Sequence, residues 1–273
     1  MNRILKTCSA LMAAGVSALF VSAGAQAADM PVKARVAPPP ATWWYIAARL
    51  GVANLSQRSV DYTNPRVFAT VGGSDNDNFK FVGAAAIGIQ LSSLPVRLEI
   101  EYANRSKANF TRDTLGFCPA PCGGFAPVNG LNFNGYNAIE FKNQTLMLNA
   151  YWDIPVAQRV AVFVGAGAGV SFNETSASQV ATVTFTAPDP ILIPPGVLAP
   201  FASWPKRSTT SFAWSATVGT SVDLTANFVL DLSYRLVSLG RYDTGINPNL
   251  FQDERFRATV YSQEALVGGR FKF

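Results

Sequence analysis

The chain has no histidine. Its absence removes the imidazole base of the usual Ser-His and Asp-His hydrolytic sites and the commonest side-chain nitrogen ligand for a metal. Cysteine is scarce, at three in 273 residues, and charge is thin, at 14% Asp, Glu, Lys and Arg. The formal charge of +5 includes Arg3 and Lys6 of the amino-terminal stretch, and what remains is too small to argue for nucleic acid as a partner. Long apolar runs are missing too. Past residue 27 no stretch reaches the roughly 20 apolar residues that a helical span requires, although 49% of the chain is hydrophobic.

What is present begins with "MNRILKTCSALMAAGVSALFVSAGAQA". Two basic residues, an apolar run from Ala10 to Val21 and a small-x-small site at Ala25-Gln26-Ala27 read as a secretory signal peptide over residues 1–27. The run is too short for a membrane anchor. Cys8 precedes it, which argues against a lipoprotein anchor there. Residues 28–42, "ADMPVKARVAPPPAT", are proline-rich and aperiodic, as expected of an extended periplasmic lead-in. An exported, apolar chain without a membrane helix points to a closed β-barrel, because only helices and closed barrels satisfy every backbone group inside lipid.

Alternation supports that reading from Trp43 to Phe273. In "VRLEIEYANR", Val96, Leu98, Ile100 and Tyr102 oppose Arg97, Glu99, Glu101 and Arg105, a period of two that leaves little room for a helix. The same period runs through "WWYIAARLGVAN", "FKFVGAAAIGIQL", "TLMLNAYWDI", "RVAVFVGAGAGVSF", "SFAWSATVGTSVD", "FVLDLSYRLV" and the terminal "EALVGGRFKF". These segments predict an all-β, eight-stranded antiparallel transmembrane barrel. Alternation in "QVATVTF" keeps two alternatives open, a hairpin extended above the membrane or a ten-stranded barrel.

Connections of two kinds alternate along the chain. Tight turns are expected at 92–95, 155–158 and 224–227, and long loops near 55–78, 106–138, 173–210 and 238–258. Short turns on one rim and long loops on the other put both termini in the periplasm and four loops outside the cell. Outward aromatic residues sort accordingly. Trp44, Trp152, Phe228, Phe271 and Phe273 fall near the short-turn rim, and Phe79, Tyr102, Phe172, Trp214, Tyr234 and Tyr261 near the other, as the two interfaces of a bilayer demand.

The inward face carries the chemistry. It includes Arg49, Lys80, Arg97, Glu99, Glu101, Arg105, Asp153, Asp223, Asp231, Arg235, Glu264, Arg270 and Lys272. Buried charges must pair or be hydrated, so a lumenal network is expected, with Glu99 and Glu101 bridging to Arg49, Lys80, Arg97 or Arg270. Eight strands leave an interior that side chains just fill. The network therefore reads as a plug, with an ion-selective constriction as the alternative. Charge pairing explains Glu99 and Glu101 without catalysis, and no enzyme is expected; no motif asks for a cofactor or metal. The pair Cys118 and Cys122 in "CPAPC" reads as a loop disulfide in an oxidising compartment; metal binding would need a second pair or a histidine. The apolar stretch "VATVTFTAPDPILIPPGVLAPF" makes contact with a host or other cell surface the hypothesis for the outer loops.

Taken in order, "PVRLEIEYANRSKANF", "LMLNAYWDIP", "AVFVGAGAGVSF", "FAWSATVGTSVDL", "DLSYRLVSLGRY" and "VGGRFKF" resemble the opacity-type small porin family, within the OmpA-like transmembrane barrel group. The resemblance runs from about Trp43 to Phe273 and implies an outer-membrane barrel of a Gram-negative bacterium with variable exposed loops. Phe271 and Phe273 resemble the terminal sorting signal read by the barrel assembly machinery. The partners implied are that machinery, outer-membrane lipid and lipopolysaccharide.

Overall fold

A computed structural model describes residues 43–63, 68–72, 79–91, 94–118, 131–185, 201–246 and 255–273. Residues 1–42 lie outside it, as does Cys122, so the leader, the proline-rich lead-in and the Cys118–Cys122 pairing fall outside the described residues. The strands are β1 (Trp43–Thr63), β2 (Phe68–Gly72), β3 (Phe79–Gln90), β4 (Val96–Cys118), β5 (Leu131–Ala157), β6 (Val160–Phe185), β7 (Phe201–Asp223), β8 (Phe228–Asp243) and β9 (Arg255–Lys272). All pairings are antiparallel. Going round the sheet, β1, β3, β4, β5, β6, β7, β8 and β9 follow one another, and β9 returns to β1, so eight strands close a ring. Short β2 lies outside that count, against the upper part of β4 from Phe68↔Phe117 to Gly72↔Asp113. The barrel is thus eight-stranded, and "QVATVTF" extends β6 instead of adding strands.

Closure abolishes the sheet edge, the condition for a sheet in lipid. The carboxyl terminus is tied in by its backbone, Lys272 N donating to Asn227 O at 2.8 Å and Phe273 N to Trp44 O at 3.0 Å. Outward side chains form an apolar belt up to nine residues deep, running from Trp44 to Val52 on β1, Leu146 to Trp152 on β5, Val164 to Phe172 on β6 and Val267 to Phe271 on β9. That depth matches the 9–11 tilted residues that cross a bilayer. Trp44, Trp152, Phe228, Phe271 and Phe273 stand exposed at one boundary, and Phe79, Tyr102, Phe172 and Trp214 at the other, with Tyr234 and Tyr261 half-buried.

Above the belt the structure departs from the sequence-based expectation. Much of the stretches 55–78, 106–138, 173–210 and 238–258 is strand, not loop: β4 runs on to Cys118, β5 starts at Leu131, β6 reaches Phe185 and β7 starts at Phe201. The reason is a tier of four β-bulges at the top of the belt. One extra residue is inserted in β1 between Arg58 and Asp61, in β4 between Arg105 and Ala108, in β7 between Trp204 and Arg207, and in β8 between Ser238 and Arg241. Each insertion shifts inside–outside alternation by one residue. On β4 the buried positions are Arg97, Glu99, Glu101, Ala103 and Arg105 below, then Ala108, Phe110, Arg112 and Thr114 above.

The hydrophobic core lies inside this upper section of the barrel. Leu55, Phe110, Phe141, Trp204, Tyr242 and Phe256 are each at most 2% exposed and belong to one cluster. Their rings pack edge-on or tilted, with centroids 5.6 Å apart for Trp204 and Phe256 and 5.8 Å for Phe141 and Tyr242, within the range aromatic pairs prefer.

Candidate functional site: the ion-pair lattice of the lumen

Below the aromatic core the lumen holds charge. β4 supplies Arg97, Glu99, Glu101 and Arg105, which its period of two points inward together. β1 brings Arg49, β5 Asp153, β8 Arg235 and β9 Glu264. They form a chain of alternating sign. Arg97 Nε lies 2.8 Å from Asp153 Oδ2, and its Nη1 3.4 Å from Glu99 Oε1. Arg49 joins Glu99 to Glu101, at 2.7 and 2.8 Å. Arg235 bridges Glu101 and Glu264, the latter at 2.7 Å, and Arg105 Nε closes on Glu264 at 2.6 Å. Four guanidiniums meet four carboxylates, so the chain is neutral.

Its geometry decides what it can do. In the ring, β4 and β8 are four places apart, which is diametrically opposite. The Arg235–Glu101 pair therefore crosses the full width of the lumen, and Arg105–Glu264 spans from β4 to β9. Hydrogen bonds extend the barrier: Tyr45 donates to Glu99 at 2.9 Å, Ser262 to Glu264 at 2.8 Å, and Arg105 Nη1 to Asn143 at 2.7 Å. Asn143 donates on to Ser171 and Asn173, and Asn173 to the Leu239 carbonyl at 2.9 Å, where the aromatic core begins. Arg97 is held between two rings, its guanidinium carbon 4.7 Å from the Tyr151 centroid and 4.8 Å from that of Phe163. Such stacking suits the flat, weakly hydrated guanidinium better than an ammonium.

Two expected bridges are corrected. Arg270 does not reach Glu99 or Glu101. It lies lower, pairing with Asp231 at 2.7 Å and donating to Ser221 at 2.9 Å. Lys80, half-buried, is in none of these pairs among the described residues. It faces Ala53 near the top of β3, six residues above Ala86, the neighbour of Glu101, or about 20 Å along the strand. Lys272 and Asp223 pair at 2.9 Å near the short-turn rim. Beneath the lattice a vestibule of about 530 Å³ opens on that rim, lined by Tyr45, Asp153, Ser221, Asp223, Arg270 and Lys272 among others.

Sequence reading missed the lattice's neutral members. Tyr45, Tyr151, Phe163, Asn143, Ser171 and Asn173 all line the lumen, and the period of two that exposed the charges also points these inward.

The model of the outer membrane protein beta-barrel domain matches residues 13–260. Comparison with curated protein sequences gives no match. Among solved structures, Neisserial surface protein A (NspA) is 17% identical, with 84% of this chain and 97% of that one covered and a TM-score of 0.41. OprG from Pseudomonas aeruginosa is 10% identical, with 85% and 97% covered and a TM-score of 0.44. Ail, the attachment invasion locus protein of Yersinia pestis, is 9% identical, with 84% and 98% covered and a TM-score of 0.34.

Proposed function

Because the chain belongs to the outer membrane protein beta-barrel domain family, and so lies in the outer membrane of a Gram-negative cell, we propose that it is a closed barrel with a structural or surface-interacting role. One observation carries this reading: the Arg235–Glu101 pair joins opposite walls of the lumen. A hydrated ion passing upward would have to break that contact and then cross the dry layer of Phe110, Phe141 and Tyr242. Each buried charge stripped of its partner costs several kcal/mol, so opening is unfavourable at both levels. What the protein offers its surroundings is then its outer wall and its extracellular end.

Catalysis has no place in this proposal. The clustered carboxylates are occupied by arginines, and the chain lacks histidine. Phe271 and Phe273, exposed at the end of β9, are the residues we assign to recognition by the barrel assembly machinery.

The test is single-channel conductance of the purified protein in a planar bilayer, beside a variant with Glu99→Arg and Glu101→Arg. Silence from inserted protein is the expected result. Reproducible steps whose ion selectivity changes in the variant would replace this reading with that of a small diffusion channel.

A further inference from the structure

Above the apolar belt the outer wall is charged, and on one face the charges form a grid fixed by strand register. Across β1, β9 and β8 the first charged row is Arg58, Thr259 and Arg241, and the next is Asp61, Arg257 and Asp243. Arg255 stands one step higher. Four guanidiniums stand here against two carboxylates, and three of them are paired. Asp61 holds Arg241, and Asp243 holds both Arg255 and Arg257, the last at 3.2 Å. Arg58 is exposed and in no ion pair among the described residues. It stands two strand spacings from Arg241, about 10 Å, with the Thr259 hydroxyl between them.

The rows beneath continue in order of falling polarity. Ser56 pairs with Tyr261, then Asn54 with Gln263, whose carbonyl accepts from Tyr234 at 2.9 Å. Below these come Val52 and Ala265, then Leu50 and Val267. Read downward along the wall, this face presents guanidiniums, then amides and hydroxyls, then hydrocarbon. These side chains project sideways from strands that continue above the bilayer, so they face the headgroups of surrounding lipid, not the space beyond the cell.

We propose that the β8–β9–β1 face holds a phosphorylated, acylated lipid of the outer leaflet, the lipid A part of lipopolysaccharide. Arg58 and Arg241 grip a phosphate over Thr259, with Arg257 behind it. Asn54, Ser56 and Gln263 meet the amide and hydroxyl groups next to the acyl chains, which lie on Val52, Ala265 and Val267. Guanidiniums suit this task because they bind phosphate oxygens in a planar fork. The carboxylates of Asp61 and Asp243 orient three of the arginines in advance and leave two positive charges in excess to attract the anion. Across the barrel Lys107 is paired with Glu140, and Lys142 and Lys206 share Glu174, which leaves these lysines one positive charge in excess instead of two. This proposal rests on the outer-membrane placement and not on the closed lumen, so conduction in a bilayer would leave it standing.

The test is native mass spectrometry of the delipidated protein in detergent, with lipid A as the probe. Expected is one retained lipid A, with retention about tenfold weaker in an Arg58→Gln, Arg241→Gln variant and unchanged in a Lys142→Gln, Lys206→Gln variant. Dephosphorylated lipid A should not be retained, and millimolar inorganic phosphate should not displace the lipid. Absence of any adduct, equal loss in both variant pairs, or retention of the dephosphorylated lipid would each overturn the proposal. Displacement by inorganic phosphate alone would overturn the lipid as ligand in favour of a free anion. The gel shift on boiling reports folding of every variant. Arg58→Gln alone, which breaks no ion pair, keeps the question answerable if the double variant fails to fold.

Discussion

At the residue scale, the lattice sets the cost of any single change. Arg235 is fully buried between Glu101 and Glu264. Replacing it with leucine leaves Glu101 with Arg49 alone and Glu264 with Arg105 alone. We expect a loss of about 3–5 kcal/mol, as when one member of a buried ion pair is removed, read from the urea midpoint of unfolding in detergent. Replacing Glu101 and Arg235 together by leucine and methionine should cost much less, since both charges leave. A second residue prediction concerns pH. Asp243, above the membrane belt, is partly buried, which opposes ionisation, but the Arg255 guanidinium, the Gly245 N–H and Arg257 outweigh burial and hold its carboxyl down at about 2. Its contribution is complete above the unfolded-state value of about 4 and is lost as pH falls from there through 2. Protection of the Gly245 and Phe256 amides, measured relative to the intrinsic exchange rate at each pH, should fall across that window and stay level between pH 5 and 8.

At the element scale, the bulges decide how far the strands run. Gly240 sits in the β8 bulge at φ +73°, and a Cβ there would come within 2.4 Å of Ser211 Cβ. Gly240→Ala meets both a left-handed backbone and a collision, and should destabilise by more than about 1 kcal/mol, with faster exchange confined to the upper ends of β7 and β8. Trp204 anchors the upper core beside Phe256. Trp204→Ala should cost about 3–5 kcal/mol and loosen the extracellular section while the belt stays protected, which exchange measured strand by strand would show. The bulges of β4 and β8 also mark where the sequence misled. Period-two alternation ends at Arg105 on β4 and near Val237 on β8, so a reader following it stops the strand there and writes a loop. The backbone pairing continues, because a bulge shifts the phase without ending the ladder.

At the scale of the whole molecule, the interior has two layers of opposite character. Charge fills the part within the membrane, and aromatic rings fill the part above it. This inverts the usual relation between core and membrane: the lipid-facing wall is apolar, so the lumen behind it is free to be polar, while the upper wall meets water and needs an apolar interior. Closure at both levels predicts a division of labour. Charge swaps at Glu99 and Glu101 alone should leave a bilayer silent, and conduction should need the upper core opened as well, for instance by Phe110→Ala with Phe141→Ala. Ion steps from the charge-swapped protein alone would place the whole barrier in the lattice.

The sequence by itself determined the barrel, its alternating membrane segments, the belt and the list of inward charges. Each follows from a period of two set against a known solvent, and that is a local property of the chain. The choice of eight strands over ten came from the closed ring. Only the tertiary structure decided which charges meet. Arg235 and Glu101 are 134 residues apart, and their contact depends on β4 and β8 facing each other across a closed ring. Arg270 and Lys80 have the same pattern as Arg49, yet their heights on β9 and β3 take them elsewhere. Shear and register are properties of the closed ring, and alternation along one strand does not carry them.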